Sequence, residues 1–232
     1  PLSRTEHTEA NTHFLCIGDP GTGKSHLASI MSEAMPKVLK TTLSSGSTKV
    51  GLTGAVTKNE VTNEWVAESG AMPMADGGFH ITDEIDKPAR ENSDLLSAFN
   101  EPLSDKKVTL NKANIHTELS ADVSEFAIGN PKGRTFHTES DRYEQNPIED
   151  ADLNSRFPIK LAVQSNTPDN EDSKEKERKK AWKILNRGSD GDSDEDLMPT
   201  EQVIKYLVHA QNIEPEVPEN TKEQIIEKYI EL

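Results

Sequence analysis

Gly18-Asp19-Pro20-Gly21-Thr22-Gly23-Lys24-Ser25 decides the fold, because it joins an apolar run to a helical pattern through a glycine-rich turn. Phe14 to Ile17, just before it, is continuously apolar, as a strand buried on both faces requires. Ser25 to Met35, just after it, sets Leu27, Ile30, Met31 and Ala34 at helical spacing, and Pro36 stops the helix. The turn fits the eight-residue phosphate-loop pattern. Its glycines let successive backbone N–H groups turn inward around phosphate oxygens, and the following helix points its positive end at the same charge. Asp19, Pro20, Gly21, Thr22, Gly23, Lys24, Ser25 and His26 are therefore expected to bind ATP, with Lys24 reaching the β- and γ-phosphates and the Ser25 hydroxyl on Mg²⁺.

Further along, Phe79 to Thr82 reads as a short strand ending in Asp83-Glu84. An acidic pair at a strand end is ordinarily a solvated terminus. After a phosphate loop it becomes the expected metal-and-water site, Asp83 holding Mg²⁺ through water and Glu84 polarising the attacking water. His80, inside that strand, reads as a packed residue and not as a ligand. Cys16 is the single cysteine, sits in an apolar run and reads as a small buried hydrophobe.

Thr41 to Leu43, Ser124 to Ile128 and Ile159 to Val163 complete five candidate core strands, and Pro88 to about Asn100 reads as a helix. Strands alternating with helices predict an α/β fold with a mainly parallel sheet flanked by helices. Val108 to Leu110 and Ile115 to Leu119 flank a polar tip and predict a hairpin. Composition changes after Val163. The expected division is a core over 13–163, an acidic linker with a charged helix (174 to 185) over 164–198, and a small partial helical lid over 199–232. Within the linker, 187 to 196 is rich in Gly, Ser and Asp and is expected to be flexible.

The formal net charge is −15, from 41 acidic and 26 basic residues, which argues against broad affinity for nucleic acid. Lys106, Lys107 and Lys112 make the predicted hairpin a local exception. No apolar run approaches the roughly 18 residues a membrane span needs, so no membrane partner and a cytoplasmic or nucleoid-associated location are expected. Pro1 is a poor translational start, and a piece of a longer chain is expected.

The phosphate loop, Gly51-Leu52-Thr53, Glu64-Trp65-Val66, Glu68-Ser69-Gly70-Ala71, Ala75-Asp76-Gly77-Gly78, Asp83-Glu84-Ile85-Asp86-Lys87, Asn130-Pro131 and Ser155-Arg156-Phe157 follow one another over residues 13 to 162. In that order and spacing they resemble the minichromosome maintenance (MCM) branch of the AAA+ P-loop ATPases. The resemblance implies an ATP-driven helicase motor that translocates on single-stranded DNA and unwinds duplex DNA during replication, as a homo-oligomeric, hexameric ring. It implies that Asn130 is the sensor that positions the water and that Arg156 is an arginine finger reaching a neighbouring subunit's nucleotide. It also implies that Val56 to Val66 belongs to an insert interrupting the second helix, and that Lys112 touches DNA from a hairpin. Asp122, Pro158 and Ile204 depart from the family's usual residues, and the stretches that would carry the second sensor and the amino-terminal domain are missing. A MoxR-like protein-remodelling ATPase and a nucleotide-binding subunit without turnover are the alternatives.

Overall fold

The computed structural model describes residues 11–91, 93–112, 114–136, 144–165, 175, 178, 199–211 and 218–230. The predicted linker helix over 174–185, apart from residues 175 and 178, and the stretch 187–196 lie outside the described residues.

A five-stranded sheet organises the molecule. Its strands are β1 (Phe14–Gly18), β2 (Val38–Thr42), β5 (Phe79–Asp83), β8 (Ser124–Gly129) and β9 (Ile159–Val163), in the order β2-β5-β8-β1-β9. Every pairing among them is parallel. β1 lies between β8 and β9, with Phe14 opposite Phe126 on one side and Ile159 on the other. The five expected core strands are all present. The second begins three residues earlier than its apolar pattern suggests, because Val38 pairs with Phe79 and Lys40 with Ile81 although Lys40 interrupts the pattern.

The period-2 alternation of a strand splits β1 between two layers. Leu15 and Ile17 join a large apolar cluster with Ile85, Leu96, Phe99, Leu153 and Phe157. Cys16 turns to the other face, with Ala28, Ile81, Phe126 and Ile128. Ala28 comes from α1 (Lys24–Ala34), whose carboxyl end is followed by Pro36 as expected. Burial raises the Cys16 thiol above its ordinary pKa, so it is an inert packing group.

The single helix predicted after Asp83-Glu84 is a series of short turns. α4 (Asp86–Glu91) and α5 (Ser93–Leu96) lead through a 3₁₀ turn (Ser97–Phe99) into α6 (Asn100–Asp105). Pro88 and Pro102 each fall in the first turn of a segment, where a missing N–H costs no helical hydrogen bond.

The interrupted second helix is present as α2 (Lys49–Thr53) and α3 (Ala71–Met74), separated by a hairpin of β3 (Gly54–Lys58) and β4 (Trp65–Ser69). A second hairpin pairs β6 (Lys107–Lys112) with β7 (Ile115–Ser120), two residues longer at the Lys112 end of β6 than the apolar pattern predicts. The two hairpins form one unit, because Val56 shares a separate apolar cluster with Val108, Leu110 and Ala121. After α7 (Ala151–Ser155), α8 (Thr200–Gln211) lies against α1, and α9 (Glu219–Ile230) follows. No helix among the described residues is long and apolar enough to cross a membrane.

Candidate nucleotide site

The loop leaving β1 bends through Gly21 (φ 76°) and Gly23 (φ 88°), left-handed conformations that a side chain would strain. The bend opens a cavity of about 320 Å³ at the carboxyl ends of β5, β8 and β1, where ligands sit in open parallel sheets. Its walls are Pro20 to His26, then Asp83 and Glu84 from the end of β5, and Ile128, Gly129 and Asn130 from the end of β8. Twelve residues of three separate segments thus meet at one place.

Lys24 is folded back into this cavity. Its Nζ donates to the carbonyls of Gly18 and Asp19, both at 2.7 Å, and lies 3.3 Å from Asn130 Oδ1. Burial pushes the ammonium below its ordinary pKa, with the charges of Cys16, Asp86, Asp19 and Asp83 acting against the shift. Ser25 Oγ donates to Asp83 Oδ1 at 3.2 Å, so the two residues expected at Mg²⁺ are already neighbours. A hydroxyl and a carboxylate beside a phosphate loop form a hard-oxygen donor set suited to Mg²⁺. Among the described residues no cluster of three or more His, Cys, Asp or Glu could hold a metal alone. The phosphates would complete the coordination.

Glu84 stands in the left-handed region at φ 64°, which costs a non-glycine residue about 1–2 kcal/mol. Its Oε2 lies 2.5 Å from Lys87 Nζ. Asn130 is held by its backbone: its N–H donates to Asp86 Oδ1 at 2.9 Å. Asp86 in turn meets Arg90 at 3.3 Å, and Arg90 donates to the Pro131 carbonyl at 2.7 Å. Asp86 from the first turn of α4 and Arg90 from its last turn therefore clamp the Asn130–Pro131 bend.

Asp19 differs from the rest of the loop in where its side chain goes. Its carboxylate turns away from the cavity, Oδ1 accepting from Phe136 N at 2.7 Å and Oδ2 from Ser165 N at 2.8 Å and Ser165 Oγ at 2.9 Å. Burial alone would raise its pKa, but these hydrogen bonds and the nearby Lys24 charge outweigh it and hold the carboxyl below the ordinary range. Through its carboxylate Asp19 fastens the loop, and it is not among the cavity walls. Sequence reasoning also missed Asp86 and Lys87, although both stand inside a motif it had singled out, and Lys40, whose Nζ lies 3.5 Å from Asp83 Oδ2.

Two expected site residues are elsewhere. Arg156 caps α7, is exposed and contributes nothing to this cavity. Lys112 ends β6, with its Nζ 5.5 Å from the centroid of the Trp65 ring, a cation–π contact between the two hairpins. Asp122 pairs with Lys106 at 3.7 Å. His80 is fully buried, as expected of a packed residue. Its Nδ1 lies 2.7 Å from Glu125 Oε2 and its Nε2 3.0 Å from Thr41 Oγ1.

Residues 2–180 match the family described as the MCM P-loop domain. The chain is 33% identical over 224 residues to the minichromosome maintenance protein MCM of Saccharolobus solfataricus, a match covering 95% of this chain and 30% of that protein. It is 36% identical over 172 residues to the DNA replication licensing factor mcm3 of Schizosaccharomyces pombe, covering 74% of this chain and 19% of that protein. It is 35% identical over 147 residues to the probable DNA helicase MCM8 of Arabidopsis thaliana, covering 63% of this chain and 18% of that protein. This chain thus spans less than a third of the length of these relatives. With the phosphate loop, the Asp83–Glu84 strand end and the two hairpins in one fold, the chain belongs to the MCM family.

Proposed function

We propose that the chain is the ATP-hydrolysing motor of a replicative helicase, working on single-stranded DNA within a ring of like subunits. The observation that carries this reading is the convergence of Lys24, Ser25, Asp83, Glu84 and Asn130 on one cavity. Binding falls to the inward-turned loop N–H groups and to Lys24, which exchanges the Gly18 and Asp19 carbonyls for phosphate oxygens. Ser25 and Asp83 hold Mg²⁺, which when bound neutralises charge on the phosphates. Glu84 takes up the role of orienting and polarising the attacking water, and must release Lys87 to do so. Asn130 fixes the same water from the carboxyl end of the neighbouring strand, β8.

Arg156, exposed and outside the cavity of its own subunit, serves a neighbouring one. A homo-oligomeric ring, hexameric in this reading, follows from that role. Lys112 offers the phosphate contact of a DNA-threading hairpin. The core over 13–163, the linker over 164–198 and the partial lid over 199–232 are the working divisions. Family membership favours this motor over protein remodelling.

The test is ATP hydrolysis with and without single-stranded DNA across a range of salt, beside a Glu84→Gln control. DNA-stimulated turnover that the substitution removes supports the motor. Bound nucleotide without turnover in any condition would replace it with a non-catalytic subunit.

A further inference from the structure

β2 carries a cation in its middle, Lys40, between Leu39 and Thr41. Its Nζ lies 3.5 Å from Asp83 Oδ2. The other carboxylate oxygen, Oδ1, accepts from Ser25 Oγ at 3.2 Å and from the Glu84 N–H at 3.0 Å. Asp83 is thus shared: one oxygen faces the phosphate loop and the other faces an ammonium. The strands make that arrangement rigid, because Thr42 is paired with Asp83 and Lys40 with Ile81 in unbroken parallel register.

The Lys40 side chain is 26% exposed and that of Asp83 only 9%, so water screens the pair in part. Lys40 approaches Asp83 from outside the cavity, whose walls include Asp83 but not Lys40. A phosphate contact is not what this position offers. An ammonium there satisfies the carboxylate when no divalent ion is present. It also lowers the negative potential that the same carboxylate presents to one.

We propose that Lys40 is a built-in competitor for Asp83 and sets the Mg²⁺ concentration at which the site takes up nucleotide with metal. The inference rests on the reading of Ser25 and Asp83 as the Mg²⁺ site. Lys40 is then a positioning residue whose effect appears in metal demand and not in affinity for metal-free nucleotide.

Lys40→Met keeps the aliphatic stem and the strand pairing while removing the charge. A fluorescent ATP analogue is titrated onto the parent and the variant over a range of free Mg²⁺, and again in EDTA. The expected result is a Mg²⁺ midpoint lowered about fivefold, the size of a partly screened ion pair, with affinity in EDTA unchanged. Lys40→Gln should follow the Met variant and Lys40→Arg the parent, which separates loss of charge from loss of fold. An unshifted midpoint in both neutral variants overturns the proposal. So does weakened binding in EDTA, which would make Lys40 a phosphate contact. A parent that binds no analogue at any Mg²⁺ overturns the nucleotide reading and this proposal together, whereas an unshifted midpoint leaves that reading standing.

Discussion

The Asp19 carboxylate ties the phosphate loop to Ser165, 146 positions away in the chain, through two hydrogen bonds of 2.8 and 2.9 Å. With the third bond, from Phe136 N, it fixes the loop to the segments that leave β8 and β9. Asp19→Asn keeps the shape but sets an amide N–H₂ against one of these donors. The expected loss is about 1.5–3 kcal/mol of unfolding free energy in urea titration, the range for hydrogen bonds to a charged group. The folded-state pKa lies below the ordinary 3.8, so the Asp19 contribution is complete above that value and is lost as pH falls through the folded-state pKa. The Asn variant should lack that part of the acid limb. An acid limb and stability equal to those of the parent would mean that the carboxylate does not fasten the loop.

Lys24→Ala should abolish nucleotide binding, and retained affinity would refute the site. The parent carries a subtler signature. Because burial holds the ammonium below its ordinary 10.5, affinity should decline as pH rises through that lowered value, earlier than an ordinary lysine would dictate. Phosphate favours the charged form, so binding in that alkaline range should take up protons. Calorimetry in buffers of different ionisation enthalpy reads the uptake directly; identical heats in all buffers would count against it.

Glu84 separates stability from turnover. Glu84→Gln should leave nucleotide affinity intact while hydrolysis falls about 10²–10⁴-fold, the usual share of a general base. Glu84→Gly should lose turnover equally, yet its unfolding free energy should match the parent or exceed it by about 1 kcal/mol. Relief of the left-handed backbone offsets the lost contact to Lys87, an ion pair worth little at this exposure. A glycine variant clearly less stable than the parent would show that the φ of 64° is not a strained state.

Arg156→Ala subunits should be nearly inactive alone but regain turnover when mixed with Lys24→Ala subunits, which supply an intact finger without binding nucleotide. Mixtures that stay inactive at every ratio would exclude action across an interface.

The parts legible in the sequence are those that local pattern can carry. A continuous apolar run marked β1, shorter stretches rich in apolar residues marked β5, β8 and β9, and glycine spacing marked the loop between β1 and α1. Lys112 was placed correctly near a hairpin tip. What local pattern cannot carry is which distant atom a polar group meets. Asp19 stands within the phosphate-loop motif, yet its partners Phe136 and Ser165 have no sequence relation to it. Lys40 broke an apolar alternation and so hid the start of β2, and only the register with β5 reveals its proximity to Asp83. Trp65 and Lys112 were each singled out, but their contact depends on the packing of two hairpins.

The place of β1 between β8 and β9 has a consequence for how the polypeptide matures. The strand that launches the phosphate loop is made before both of its flanking neighbours, which emerge from the ribosome much later. Long-range parallel pairing pays its loop-closure cost before any contact repays it. The loop anchor at Ser165 comes later still. The nascent chain should therefore remain blind to ATP until residue 165 has cleared the exit tunnel, so that acquiring nucleotide affinity would report completion of the sheet.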